Sequence, residues 1–298
     1  MIDSNWLWAV FTLIAAAAQT ARNATQRELT ATLGTAGATN VRFLFGVPFG
    51  LIFLAIILTA TGAPLPTPGA IFWAWVLVGG LAQTVATALM LAAMNDRSFV
   101  AVYAYIKTEP VQVALFGLVL LGDAVTLPMA VAILIATTGV LVMSLRPGAE
   151  KDGLKPALLG LAAGAMFGLS AIGYRGGILT LTESSYVMAA SFTAVIGLTL
   201  QAVLLSVYLL LRSPGVLTAI FRAWKPSMLA GFLGAFASLF WFLAFALATA
   251  ASVRTLALVE VLFAQGISSF MFKQRTSPRE AFGIILIVAG VALLLWAY

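Results

Sequence analysis

Residues 133–142 read ILIATTGVLV, and residues 284–293 read IILIVAGVAL. Each is an apolar run with a glycine at its seventh position. A single step of 151 residues relates them, and the same step carries Glu109 onto Glu260, Gly139 onto Gly290 and Gly80 onto Gly231. The back half of the chain therefore reads as a faint copy of the front half. If each copy crosses a bilayer an odd number of times, the second copy is inserted upside down. That pattern marks transporters built from inverted repeats, with a binding site near the bilayer midplane.

Composition settles the solvent. The chain has 298 residues, of which 62% are hydrophobic and only 9% charged. Soluble domains carry about 25% charged residues, so so little charge implies a polytopic membrane protein. Inside a bilayer every backbone amide must be paired internally, and apolar runs this long satisfy that as helices rather than as barrel strands. The first apolar segment lacks a basic start and a small-residue cleavage site, so it reads as a retained helix.

The chain has no cysteine and no histidine. Disulfides, thiol catalysis and thiolate–metal sites are excluded, and the commonest proton relay is missing. No cofactor and no metal site is expected. The net charge of +6 sits in short loops rather than in one stripe, so nucleic acid is not an expected partner. The expected partners are the lipid bilayer and a small-molecule substrate, with the chain acting as a monomer or homodimer.

The apolar runs divide into ten candidate helices, near 5–26, 36–58, 70–94, 99–121, 127–145, 157–179, 185–211, 226–248, 252–272 and 279–298. Turn chemistry separates them at Gly62-Ala-Pro-Leu-Pro66, Gly122-Asp123, Ser213-Pro-Gly215 and Ser277-Pro278. The most polar linker is 146–156, RPGAEKDGLKP. It divides a first five-helix repeat, 1–145, from a second, 157–298. Five is odd, so the reading is an all-α membrane protein of ten transmembrane helices in two inverted repeats. Loops after the odd-numbered helices hold Arg27, Arg97, Arg146, Lys151, Lys155, Arg212, Arg222, Lys225, Lys273, Arg275 and Arg279, whereas those after the even-numbered ones hold Asp123 and Glu183, with Arg254 just inside the ninth helix. The positive-inside rule puts the basic loops in the cytoplasm and both termini on the far side.

Two five-helix halves, each closing on a helix such as AILIATTGVLV, resemble the EamA-type drug/metabolite transporter superfamily. Asn40-Val-Arg-Phe-Leu-Phe-Gly46 is similar to its second-helix motif. Lys107-Thr-Glu-Pro-Val111 is similar to its fourth-helix motif, and Leu258-Val-Glu-Val-Leu262 to the weaker second copy, with Val261 where the first has Pro110. The fourth helix, Tyr103-Ala-Tyr105-Ile-Lys107-Thr-Glu109-Pro110 with Gln112, resembles that of the YddG-type amino-acid exporters. The resemblance implies a central cavity between the repeats, export across a bacterial inner membrane, and amino acids, aromatic ones among them, as cargo.

Charge within the bilayer is costly and tends to be functional. Lys107 lies roughly 13 Å into its helix at 1.5 Å per residue, close to the midplane. On a continuous helix Lys107 and Glu109 point about 200° apart. Tyr103 and Lys107 share one face, and Tyr105, Glu109 and Gln112 another. The first face is the expected substrate pathway, with the ammonium receiving a carboxylate and the ring an aromatic side chain. The alternative is that Lys107 pairs with Glu260 and locks two helices. Glu109 is expected to meet the ninth helix, and Pro110, which removes an amide donor and frees the Ile106 carbonyl, to mark a kink or hinge. Glu260 is its counterpart in the second half. Gln83, Ser238 and Trp241 are the further pathway candidates. Trp73 and Trp75 read as interface anchors. The run Gly160-x3-Gly164-x3-Gly168 reads as a close helix contact.

Other readings are weaker. A cation-drug/proton antiporter would need a carboxylate in the first helix, which offers Gln19, Arg22, Asn23 and Gln26 instead. An intramembrane enzyme would need a nucleophile with its base, and no such motif stands out. A channel would show a repeated filter or rings of charge. The reading is a secondary exporter of aromatic and other neutral amino acids by alternating access, or of another small metabolite or drug with proton coupling.

Overall fold

The computed structural model describes residues 6–94, 99–144, 154–272 and 277–298. Most of the 146–156 linker lies outside them, as does the side chain of Tyr103. Among the described residues every regular element is helical. The elements are α1 (Leu7–Leu44), α2 (Gly46–Thr61), α3 (Ala70–Met94), α4 (Phe99–Ile106), α5 (Glu109–Phe116), a π-helical turn (Gly117–Leu121) and α6 (Leu127–Ser144). They continue with α7 (Leu154–Leu179), α8 (Tyr186–Arg212), α9 (Pro214–Arg222), α10 (Trp224–Leu247), α11 (Ala250–Leu256), α12 (Val259–Phe272) and α13 (Pro278–Trp296).

Among the described residues, eight stretches are long and apolar enough to cross a membrane. The predicted spans 5–26 and 252–272 fall short of that standard for identifiable reasons. The first is the opening part of α1, where Gln19, Arg22, Asn23 and Gln26 dilute the apolar run. The second is divided into α11 and α12, and several of its side chains lie outside the described residues. α1 itself contains the expected division between the first two spans. Gly34 holds φ 66° and ψ 173° inside it, a conformation essentially restricted to glycine.

The chain forms two compact units. Unit 1 comprises Met1–Gly80 and Gly173–Leu247, and unit 2 comprises Leu81–Ile172 and Ala248–Tyr298. Each draws on both sequence halves.

In unit 1, α1 packs on α10 and α2 on α8. Phe232, Phe236 and Phe240 repeat every fourth residue along α10 and so share a face. Phe232 meets Phe49 and Phe53 of α2 at 5.4 and 6.0 Å, and Phe240 meets Phe11 of α1 at 5.7 Å. These half-buried rings pack against one another across α1, α2 and α10. Trp73 is exposed near the start of α3, as an anchor should be. Trp75 is not an anchor: a Cβ at Gly176 would come within 2.6 Å of its indole, so the ring packs on α7.

In unit 2, α6 packs along α13. The expected glycine stripe is also there. A Cβ at Gly160 would stand 2.6 Å from the Val102 carbonyl oxygen, one at Gly164 3.1 Å from that of Ile106, and one at Gly168 3.0 Å from Val113. α7 therefore lies directly on α4 and α5. The Ile106 carbonyl, which loses its helical donor at Pro110, is covered by backbone rather than by a side chain.

Large apolar side chains stay exposed on many helices, Val119, Leu127 and Trp296 among them, and these belong against lipid. Adding one methyl at the α7 stripe tests the packing. Gly160→Ala is expected to cost about 1–3 kcal/mol, seen as a lower unfolding midpoint in detergent. Gly215→Ala, where nothing lies within 4 Å of the new atom, is expected to stay within about 0.5 kcal/mol of wild type.

Candidate functional site

Pro110 lacks the amide that would bond the Ile106 carbonyl, so a continuous helix cannot pass through it unbroken. The chain answers with a full break. Lys107 and Thr108 form a tight turn in which the amides of Lys107, Thr108 and Val111 donate to the carbonyls three residues earlier, each at 3.1 Å. Pro110 then sits in the first turn of α5, where a missing amide costs nothing.

The second half does the same without a proline. α11 ends at Leu256, and the amides of Leu258, Glu260 and Val261 donate three residues back at 3.1, 3.0 and 3.1 Å. α12 then starts at Val259. Within one residue, the two breaks fall at positions related by the 151-residue step.

Charge is exchanged across these breaks, all within unit 2. Arg254, in the last turn of α11, donates from Nε and Nη2 to the two carboxylate oxygens of Glu109, in the first turn of α5, at 2.7 and 2.6 Å. Lys107, just past the end of α4, donates from Nζ to Glu260 Oε2, in the first turn of α12, at 3.2 Å. Both carboxylates are buried and both cations half-buried. Carboxylates are favoured at helix N-termini and cations at C-termini, so all four charges also suit the ends they occupy.

These contacts replace the face assignment made for an unbroken helix. Lys107 and Glu109 both reach the α11–α12 pair because α4 stops and α5 begins afresh between them. Tyr105 and Gln112 turn instead to α7. Tyr105 Cβ lies against Gly160, and Gln112 Nε2 donates to the Leu161 carbonyl at 3.2 Å.

Residues 6–145 match the EamA-like transporter family. The chain carries an EamA-like transporter domain. The apolar spans make the chain a multi-pass membrane protein, with the EamA-like domain in its first half. A solved crystal structure is similar to it with a TM-score of 0.74 at 13% identity, covering 97% of this chain and 98% of that one. At that identity the likeness speaks for the fold alone. Among curated protein sequences none matches.

The remaining pathway candidates are divided between the units. Gln83 is half-buried on α3 in unit 2, where its carbonyl accepts from Thr87 at 2.8 Å. Ser238 and Trp241 lie on α10 in unit 1. Ser238 is half-buried. Trp241 is buried, stacks on Phe245 at 6.4 Å between centroids and donates from Nε1 to Gln19 Oε1 at 3.2 Å. Tyr103 lies on α4, its side chain outside the described residues.

Sequence reasoning noticed Arg254 without giving it a partner. The signal was charge balance: two buried carboxylates need two cations, and Lys107 supplies one. Removing one partner of a buried pair strands the other. Glu109→Gln is therefore expected to lower the unfolding free energy by about 3–5 kcal/mol, measured by denaturant titration in detergent, with Glu109→Gln/Arg254→Gln recovering part of the loss.

Proposed function

We propose that this transporter is a secondary exporter that moves neutral amino acids, aromatic ones included, out across a bacterial inner membrane by alternating access. The observation that carries the reading is the pair of helices broken at repeat-related positions, with opposite charges exchanged between their ends. Secondary transporters place discontinuous helices at the midplane because helix ends there can serve solutes and ions. A buried charge that only held the fold together would be a poor investment of stability, since an apolar pair of similar volume often does as well.

In this reading the chain makes ten transmembrane helices in two inverted repeats, with basic loops in the cytoplasm and both termini in the periplasm. Gln83, Tyr103, Lys107, Ser238 and Trp241 line the substrate pathway. Lys107 receives the substrate carboxylate when it lets go of Glu260, and Trp241 offers a face to an aromatic side chain. Glu109, Pro110 and Glu260 form the hinge. The protein works as a monomer or homodimer. The breaks concentrate bending at residues 107–108 and 257–258, so the rocking elements keep their own hydrogen bonds.

A second reading has the same frame but a different cargo, another small metabolite or drug driven by protons. It is favoured by Glu109 and Glu260, two buried carboxylates that a proton could release from their cations.

Uptake of radiolabelled phenylalanine, threonine and methionine into proteoliposomes, with and without a pH gradient, separates the readings. The first predicts saturable uptake that needs no pH gradient and is lost in Lys107→Ala protein that stays monodisperse. Uptake only with a pH gradient favours the second reading. No uptake of any amino acid by monodisperse wild-type protein contradicts the first.

A further inference from the structure

Unit 1 carries a charged surface that the broken helices do not use, at α9. This nine-residue helix joins two apolar spans, α8 and α10. It packs on both of them and on α1. Its inner side is apolar. Val216 and Ile220 are four apart and share that side. Ile220 is buried in one cluster with Leu33 and Val41 of α1, Leu209 of α8 and Ala230 of α10, and Val216 packs against the cluster. A Cβ at Gly37 would come within 2.6 Å of Val216 Cγ1, and the Phe221 ring stands 6.2 Å from that of Phe45. α9 is therefore a seated element of the fold rather than a loose connection.

The opposite side and both ends are polar and cationic. Thr218 and Arg222 are exposed and four apart, so they share the outer side. Arg212, in the last turn of α8, and Lys225, in the first turn of α10, are exposed as well. Between Glu183 and Glu260 the sequence holds no Asp or Glu. Among the described residues no carboxylate pairs with Arg212, Arg222 or Lys225. Both arginines suit the helix C-termini they occupy, but Lys225 stands at a helix N-terminus, the end that favours an anion. What it does meet is an aromatic face: Nζ lies 5.9 Å from the centroid of the Trp224 ring.

The neighbouring side chains give the level in the membrane. Leu210 and Leu211, directly before Arg212, are exposed, and so are Met228 and Leu229, just after Lys225. Exposed apolar side chains on a spanning helix belong against hydrocarbon. At 1.5 Å per residue the cations stand within about 6 Å of them. Phe221 and Trp224 are exposed between the cations, as aromatic residues are at a membrane–water boundary. α9 itself is roughly 13 Å long, too short to cross. An apolar side turned inward, exposed rings and unpaired cations together describe a helix lying at the level of the lipid headgroups.

We infer that α9, with Arg212, Arg222 and Lys225, forms a docking surface for anionic phospholipid. Three cations without a protein anion, at the edge of the hydrocarbon, match the phosphates of that layer in charge and in depth. The guanidinium of Arg222 suits a phosphate with two parallel hydrogen bonds, and the Lys225 ammonium adds a point charge three residues on. Arg212 lies roughly 15 Å away, across the length of α9, and so engages a different lipid. The acyl chains run along the exposed residues of α8 and α10. The surface holds the α8–α10 junction at the boundary of the bilayer. This inference needs only that the chain spans a membrane, and it stands or falls independently of the cargo.

The test is thermal unfolding of the purified full chain in a nonionic detergent, titrated with short-chain phosphatidylglycerol, short-chain phosphatidylcholine or inorganic phosphate. Phosphatidylglycerol is expected to raise the midpoint saturably, and the other two to leave it nearly unchanged. The effect should shrink as salt is raised. Arg222→Gln and Lys225→Gln should each weaken the apparent affinity for phosphatidylglycerol by roughly 5-fold, and the double variant more. Without lipid the double variant should unfold at the wild-type midpoint, because the side chains it shortens are exposed. Lys273→Gln/Arg275→Gln, which lowers the net charge equally, should weaken the affinity less than 5-fold.

Equal stabilisation by phosphatidylcholine would overturn the inference, and so would equal stabilisation by inorganic phosphate, which would leave an anion site without a lipid. Equal losses in the two double variants would overturn the assignment to α9 and leave only an effect of net charge. Should the α9 double variant fail to fold, the two single variants and the comparison of lipids on wild-type protein still decide.

Discussion

A helix that stops inside a bilayer leaves carbonyls at one end and amides at the other without their usual partners, and hydrocarbon offers none. Unit 2 contains two such stops, and its chemistry follows from how they are satisfied. Tight turns recover part of the backbone bonding at 107–108 and at 257–258. The remaining partial charges meet full ones, with Glu109 and Glu260 at the starting ends and Lys107 and Arg254 at the finishing ends. Each carboxylate is then neutralised by the cation of the other broken helix. A fourfold arrangement of this kind is satisfied only while both breaks are in register, so the state of one helix is felt by the other.

The packing around the breaks is made of backbone more than of side chains. α7 approaches α4 and α5 along glycines, and α6 meets α13 where a Cβ at Gly139 would come within 2.7 Å of the Gly283 carbonyl oxygen. Smooth surfaces of this sort give a large contact area with few interlocking side chains, and small residues are what helices in lipid use to approach closely. Unit 1 is built differently, around a row of phenylalanines on α10 that packs on α1 and α2. Aromatic rings at helical spacing fill volume there, and the polar groups lie between them.

Several features were legible because they are local or periodic. Apolar runs gave the spans, glycine spacing gave the α7 contact, and Pro110 marked a disturbance in the fourth helix. The ion pair between Lys107 and Glu260 was visible as an alternative, because the 151-residue step aligns the two glutamates and places Lys107 beside one of them. The break at 257–258 was not legible: Val253, Ala257 and Leu258 are ordinary helix residues, and nothing there corresponds to Pro110. The turn is set by where α12 has to present Glu260, which is a tertiary requirement. Arg254 was hidden for the same reason, since its partner lies 145 residues away in the chain. The face assignment for Lys107 and Glu109 misled because it assumed one unbroken helix. Trp75 misled because closeness to a span end cannot distinguish a ring facing lipid from one lying over Gly176. The division into compact units was also beyond a linear reading, because each unit takes helices from both halves.

The central claim of this account is that transport turns on the charge exchange between the two broken helices. The most direct measurement is proteoliposome uptake by Glu109→Arg, Arg254→Glu and the exchanged double variant, each checked for monodispersity. The account predicts that both single variants are silent, because each buries two like charges together, and that the exchange restores a substantial part of wild-type uptake. Wild-type uptake by either single variant, or a folded double variant as silent as the singles, would contradict it.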